Sequence, residues 1–257
     1  MAARRRLDAE LVRRELAPSR TAAQGLIDAD RVFVNGAVAA KAARQVSPAD
    51  AVVVDGPPAR FVGRGAEKLD HALDTFSLDV GGLRVLDAGA STGGFTDCLL
   101  QRGASQVVAV DVGHGQLHER LRADKRVVNL ERQNIRSVTQ EVIGGVVDGA
   151  VGDLSFISLR LVIAPLVAVC KPGAFMVLLV KPQFEAGRAE VSRGRGVVTD
   201  PDVHERVRDE VATALGAAGC DVVGWTQSPI TGADGNVEFL VHATTPAAAD
   251  ASAGDES

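Results

Sequence analysis

Apolar and polar positions along this chain follow two rhythms, and the change between them divides it. Leu11, Val12 and Leu16 share one side of a helix that Asp8 is placed to N-cap, and Ala22, Ala23, Leu26 and Ile27 follow Ser19 in the same way. Val32-Phe-Val-Asn-Gly-Ala-Val38 alternates as a hairpin turning at Asn35-Gly36, and 51–54 reads as a further strand behind the Ser47-Pro48 turn. Two helices and a small sheet make a compact α+β module, which Gly56-Pro57-Pro58 ends. A helix through Leu69, Leu73 and Phe76 follows. From residue 83 the pattern alternates. Strands are predicted at 83–87, 106–111, 126–130, 146–152, 174–180, 221–227 and 236–243, with helices near 95–102, 115–123, 158–170 and 202–218. That order predicts a doubly wound, Rossmann-like α/β sheet that binds ligands at the carboxyl ends of its strands. The last two strands read as a hairpin, which places one antiparallel strand in the sheet. The tail after Pro246 is Ala, Ser, Gly and acids, and reads as disordered.

The first strand of this sheet runs into Asp87-Ala-Gly89-Ala-Ser91-Thr92-Gly93-Gly94-Phe95 and then a helix. A strand, a glycine loop and a helix present bare N–H groups to a nucleotide-like ligand. A lone glycine loop would be an ordinary tight turn, but here acids close two successive strands. The spacing is Asp-x-Gly-x-Ser-x-Gly, not the Gly-x-Gly-x-x-Gly of dinucleotide enzymes, and favours S-adenosylmethionine over NAD. Asp111 ends the second strand, where an acid can accept both ribose hydroxyls of an adenosine. Asn134, after the third, can reach an adenine edge.

The fourth strand ends at Asp153-Leu-Ser-Phe-Ile-Ser158 and the fifth at Lys181-Pro-Gln-Phe-Glu185. An acid and a lysine at neighbouring strand ends converge on the ligand crevice, and Glu238 can reach the same edge; Lys68 needs the fold to bring it in. Each alone would be a solvated charge. A lysine beside a hydroxyl acceptor suits methyl transfer, either as the base or as a cation that positions the hydroxyl and steadies its oxyanion. The loop after Gln183 carries Arg188, Arg193 and Arg195, suited to a phosphate backbone.

Charge sharpens the division. Residues 1–48 hold nine Arg/Lys against five Asp/Glu, a balance of +4 in a chain whose net charge is −5. A basic head on an acidic body fits a polyanion-binding module. Apolar content of 46% supports a large core, yet no run reaches the roughly 18 apolar residues of a membrane span. The Arg-rich N-terminus has no apolar stretch of a secretory signal behind it. Cys98, Cys170 and Cys220 lack metal-ligand spacing and suggest a reduced, cytoplasmic protein without a metal.

The head segment Arg6-Leu-Asp-Ala-Glu-Leu-Val-Arg-Arg14 with Ser19-Arg20 resembles the S-four RNA-binding domain, and Arg64-Gly-Ala-Glu-Lys-Leu69 resembles the entry to an FtsJ-like methyltransferase domain. With Asp87–Phe95, Asp153–Ser158, Lys181–Phe184 and Gly235–Glu238, these blocks make residues 3–243 similar to the TlyA-type rRNA methyltransferases. The resemblance implies an S-four-like domain over 1–58, a linker over 59–64, a seven-stranded methyltransferase domain over 65–245 and an acidic tail over 246–257. It places the family's Lys-Asp-Lys-Glu tetrad on Lys68, Asp153, Lys181 and Glu238. It further implies S-adenosylmethionine as cofactor, the cytidine 2′-hydroxyls of small- and large-subunit rRNA as acceptors, and a monomer. The RNA contacts would be Arg6, Arg14, Arg20, Lys41, Arg64 and Arg188. The interdomain tetrapeptide, here Arg60-Phe-Val-Gly63, would couple RNA docking to cofactor binding. A non-catalytic RNA-binding or ribosome-assembly factor with the same fold is the alternative. A membrane-active haemolysin is disfavoured by the absence of a spanning or strongly amphipathic apolar segment.

Overall fold

A computed structural model describes residues 4–17, 19–56, 60–187, 190–191, 194, 196–232 and 234–248. The chain divides into two compact units, Met1–Arg64 and Gly65–Ser257. The expected acidic tail from residue 249 onward lies outside the described residues, as do Arg188, Arg193 and Arg195.

The first unit runs β1 (Arg5–Arg6), α1 (Leu7–Arg13), α2 (Arg20–Asp28), β2 (Val32–Val34), β3 (Ala37–Val38), β4 (Gln45–Val46) and β5 (Val52–Val54). β3, β2 and β5 form an antiparallel sheet, and β1 pairs with β4. Leu7, Leu11, Ala23, Ile27, Val32, Val34 and Val46 pack together inside. The Ser19 hydroxyl caps α2 by accepting from the Ala22 amide at 3.2 Å. Asn35 and Gly36 turn the hairpin with φ of 54° and 81°. The expected cap at Asp8 is corrected. Arg6 is the N-cap residue of α1, with no capping bond from its side chain, and Asp8 lies buried in the first turn. The cause is the short β1–β4 ladder. It delivers the chain straight into the helix, with the Leu7 amide donating to the Arg44 carbonyl at 2.8 Å and the Leu7 side chain in the core.

The second unit runs α3 (Gly65–Thr75), β6 (Arg84–Ala88), α4 (Gly94–Gln101), β7 (Gln106–Val110), α5 (Glu119–Arg122), β8 (Val127–Leu130), α6 (Gln140–Ile143), β9 (Val147–Gly152), α7 (Ile163–Val169), β10 (Cys170–Val180), α8 (Pro182–Glu185), α9 (Pro201–Ala217), β11 (Asp221–Gln227) and β12 (Phe239–Thr244). One seven-stranded sheet has the order β11-β12-β10-β9-β6-β7-β8. β12 is antiparallel to both neighbours, and the pairs among β10, β9, β6, β7 and β8 are parallel. Strands buried on both faces read as continuous apolar runs, as Val107–Val110 and Met176–Val180 do. From β6 the chain steps outward to β7 and β8, then returns to the other side of β6 for β9 and β10. The strand order therefore reverses between β6 and β9, where doubly wound sheets open a crevice.

Two helical segments are shorter than their periodicity predicts. Within 115–123 only Glu119–Arg122 is helical, because the preceding residues form the loop under the glycine turn. Within 158–170 a 3-10 turn at Leu159–Leu161 precedes α7, and β10 already begins at Cys170. An apolar run of that length suits either state, and pairing of Cys170 with Val147 decides it.

Candidate active site

β6 ends in a turn that its sequence specifies residue by residue. Gly93 is the N-cap of α4 with φ 100°, and a Cβ there would lie 2.2 Å from Leu121 Cδ1. Gly89 approaches the neighbouring strand end so closely that a Cβ would meet the Asp153 carbonyl oxygen at 2.8 Å. Asp87 is fully buried beneath the turn and accepts from the Thr96 hydroxyl at 2.6 Å, while its Oδ1 has no hydrogen-bond partner. Loss of hydration pushes its carboxyl up to about 7, against the opposing pull of Thr96.

Above this turn lies a cleft of about 310 Å³, lined by Gly89, Ser91, Asp111, Gln133, Ile135 and Asp153 among others. Its volume falls within the roughly 300–1,000 Å³ of small-molecule sites. Asp111 accepts from the Ser91 amide at 2.8 Å and the Gly113 amide at 2.7 Å, which fixes its carboxylate at the end of β7 with lone pairs to spare. Ile135 supplies an apolar wall and Gln133 an amide. An adenosine-bearing cofactor fits this set, with Asp111 for ribose hydroxyls and Ile135 against a flat base.

The nine residues expected at the cofactor divide. Gly89, Ser91 and Asp111 line the cleft; Asp87, Gly93 and Gly94 do not, Asp87 being buried beneath the turn, Gly93 facing Leu117 and Leu121, and Gly94 facing Gly65 and Ala66. Phe95 is 3% exposed, with its ring edge close to Gly65, and works as packing under the turn. Thr92 accepts through its carbonyl from the His118 amide at 3.1 Å. Asn134 turns away. Its side chain accepts from the Arg136 amide at 3.0 Å and caps the 3-10 turn at Ile135–Ser137, so its two neighbours face the cleft instead.

A second cavity of about 420 Å³ adjoins the first along Ser155 and Phe156 and is lined by Lys68, Lys181, Gln183, Phe184 and Glu238, among others. Here the four expected tetrad residues come together as two pairs. Lys181 Nζ lies 2.6 Å from Asp153 Oδ1, an ion pair outside hydrogen-bond geometry, and donates to Ser155 Oγ at 2.8 Å. Lys68 Nζ donates to Glu238 Oε2 at 2.5 Å, with both groups buried. Glu238 is brought in beside Asn236, which is 1% exposed; its Oδ1 accepts from the Val198 amide and its Nδ2 donates to the Gly196 carbonyl.

Ser155 and Phe156 belong to the Asp153–Ser158 block, but no single-residue signal marks them. Phe156 is 92% exposed with φ 64°, an outlier for a bulky residue. Its ring meets Phe184 at 5.2 Å between centroids.

The head residues also divide. Lys41 and Arg64 are exposed. Arg6 and Arg20 both bind the buried Asp8 carboxylate, at 3.0 and 2.8 Å, holding it well below the usual carboxylate range, yet keep much of their side chains in solvent. Arg14 is spent on structure. It donates to Glu10 and to the carbonyls of Asp50, Ser47 and Pro48, and is only 20% exposed. Among the described residues no group of three or more His, Cys, Asp or Glu could hold a metal ion, and no helix is long and apolar enough to cross a membrane.

Residues 61–245 match the FtsJ-like methyltransferase family and residues 5–52 match the S4 domain. The 16S/23S rRNA (cytidine-2′-O)-methyltransferase TlyA of Mycobacterium tuberculosis is 50% identical over 94% of this chain and 90% of its own length. Hemolysin A of Brachyspira hyodysenteriae is 39% identical over 87% of this chain and 93% of its own. A solved Streptococcus thermophilus structure that carries a hemolysin name superposes with a TM-score of 0.76 at 38% identity, covering 96% of this chain and 90% of that one.

Proposed function

The chain belongs to the FtsJ-like methyltransferase family, and we propose that it transfers a methyl group from S-adenosylmethionine to the ribose 2′-hydroxyl of cytidine in 16S and 23S rRNA. One observation carries this reading: a cleft suited to an adenosine cofactor, with Asp153 in its lining, and a cavity lined by Lys181 and the Lys68–Glu238 pair share Ser155 and Phe156 as their common wall. The likeness to TlyA supports the acceptor, and the S4 domain supports RNA as its carrier.

Bound in the first cleft, S-adenosylmethionine supplies a methyl group already activated by its positive sulfur. The chain then has to align the acceptor oxygen and manage the proton that leaves it. Asp111 takes the ribose end of the cofactor, and the glycine turn lets backbone approach closely. Lys181 stands where the two cavities meet, aimed by Asp153 and Ser155; its N–H groups stabilise negative charge on the acceptor oxygen, whose proton passes to solvent as the bond to the methyl forms and the methyl–sulfur bond breaks. Lys68 and Glu238 form another wall of the acceptor cavity and hold the ribose against Lys181. Phe156 offers an exposed aromatic face beside the cavity, on which an unstacked base can lie. In the head, Arg6, Arg20 and Lys41 are among the exposed cations that can meet phosphates.

The test is to incubate purified small and large ribosomal subunits with the protein and labelled cofactor, and to map ribose methylation by mass spectrometry. Methyl groups on cytidine 2′-oxygens are expected in both rRNAs. Cofactor binding without methylation of either subunit would overturn the reading in favour of an assembly factor.

A further inference from the structure

The loop from Asp153 to Ser158 has no regular secondary structure, yet it carries the aiming groups for Lys181. It also holds Phe156 in the left-handed region, a conformation that costs on the order of 1–3 kcal/mol and persists only where its surroundings impose it. One short segment imposes it from both ends. At the start of the loop, Lys181 grips Asp153 and Ser155. Midway, Phe184 packs on Phe156. At the end, Glu185 accepts from the Leu159 amide at 2.7 Å and the Ser158 hydroxyl at 2.5 Å. Arg160 returns the tie by donating to the Glu185 carbonyl at 3.1 Å. Residues 181–185 and 153–159 are therefore laced together at three levels.

Glu185 lines neither cavity and is 4% exposed. Burial raises its carboxyl above the ordinary range, with Ser158, Leu159 and Arg160 pulling the other way. A position needed only to fill space takes an apolar side chain at less cost. We infer that Glu185 is a positioning residue for methyl transfer, fixing the Asp153–Ser158 loop so that Asp153 and Ser155 stay in register with Lys181. This rests on the methyltransferase reading of the same site.

The experiment compares Glu185→Ala, Glu185→Gln and Ser158→Ala in the full-length protein. Misplacing a catalytic group by about 1 Å can cost on the order of a hundredfold, so Glu185→Ala should lower single-turnover methyl transfer roughly ten- to a hundredfold. Calorimetric affinity for S-adenosylmethionine should fall far less than the rate, because the loop forms only one wall of the cofactor cleft and Gly89, Ser91 and Asp111 on the others are untouched. Glu185→Gln keeps an acceptor for the Leu159 amide and should recover most of the rate. Ser158→Ala removes one tie without vacating the buried site and gives a smaller loss of the same kind. Hydrogen exchange at residues 154–159 should rise in Glu185→Ala while that of β9 does not. An unchanged rate, a loss confined to cofactor affinity, or a Gln variant as poor as Ala would overturn the inference. An unaltered protein that methylates neither subunit sinks the functional reading and the catalytic consequence with it. In that event loop exchange still reports whether Glu185 holds the loop.

Discussion

Lys181 Nζ stands 2.6 Å from Asp153 Oδ1, joining the carboxyl ends of two adjacent parallel strands where the two cavities meet. Neither strand end is reactive alone. Their adjacency in the sheet gives a cation fixed in direction beside a space for a hydroxyl.

Lys181→Ala should therefore leave cofactor affinity unchanged while methyl transfer to rRNA falls by a factor on the order of 10²–10³, the usual yield of a positioned proton-transfer or oxyanion-stabilising group. Calorimetry and a filter-bound methylation assay separate the two. Retained transfer would remove Lys181 from the reaction.

The Lys68–Glu238 pair is buried on both sides. Lys68→Met leaves a buried carboxylate without its partner and should destabilise the domain by about 3–5 kcal/mol. Replacing both, as Lys68→Met with Glu238→Leu, should regain much of that stability and none of the activity. Thermal melts with parallel activity assays check it; equal melting of single and double variants would refute it.

Asp87 gives stability a pH dependence of definite sign. Its carboxyl is pushed from an ordinary 3.8 up to about 7 by burial, so the folded state holds a proton that the unfolded state has released. Its contribution is fully present below about pH 4 and is lost as pH rises through about 7. Asp87→Asn keeps an acceptor for Thr96 and should gain stability over wild type by a few kcal/mol at pH 8, with the difference vanishing near pH 4. Urea titrations across that range decide it.

Gly93→Ala places a methyl group against Leu121 at φ 100°. Strain of this kind costs on the order of 1–3 kcal/mol. Cofactor affinity should fall as well, because the same turn floors the cleft. A melt with and without S-adenosylmethionine should show a lower Tm and a smaller ligand-induced rise.

The head arginines should separate by salt dependence. Arg20→Ala and Lys41→Ala should each weaken rRNA binding and reduce the slope of log affinity against log salt by about one, as loss of a phosphate contact does. Arg14→Ala should leave that slope unchanged and instead loosen the head, since its N–H groups bind carbonyls of the 47–50 turn.

What the sequence determined by itself was local. The Ser19 cap, the Asn35-Gly36 hairpin, the buried strands and the Asp87–Gly94 turn each depend on residues within a few positions of one another, so spacing sufficed to read them. The strand-end rule also placed Asp153 and Lys181 on the crevice. The tertiary structure alone decided who meets whom. It joined Lys68 to Glu238 from opposite ends of the domain, turned Asn134 into a cap while its neighbours faced the cleft, drew Arg14 inward to the carbonyls of the 47–50 turn, and let the β1–β4 ladder override Asp8 as a cap. The reason is that backbone preferences act over a turn or a strand. Side-chain partners are chosen by packing and by the cost of leaving a buried polar group unpaired, which no local spacing records.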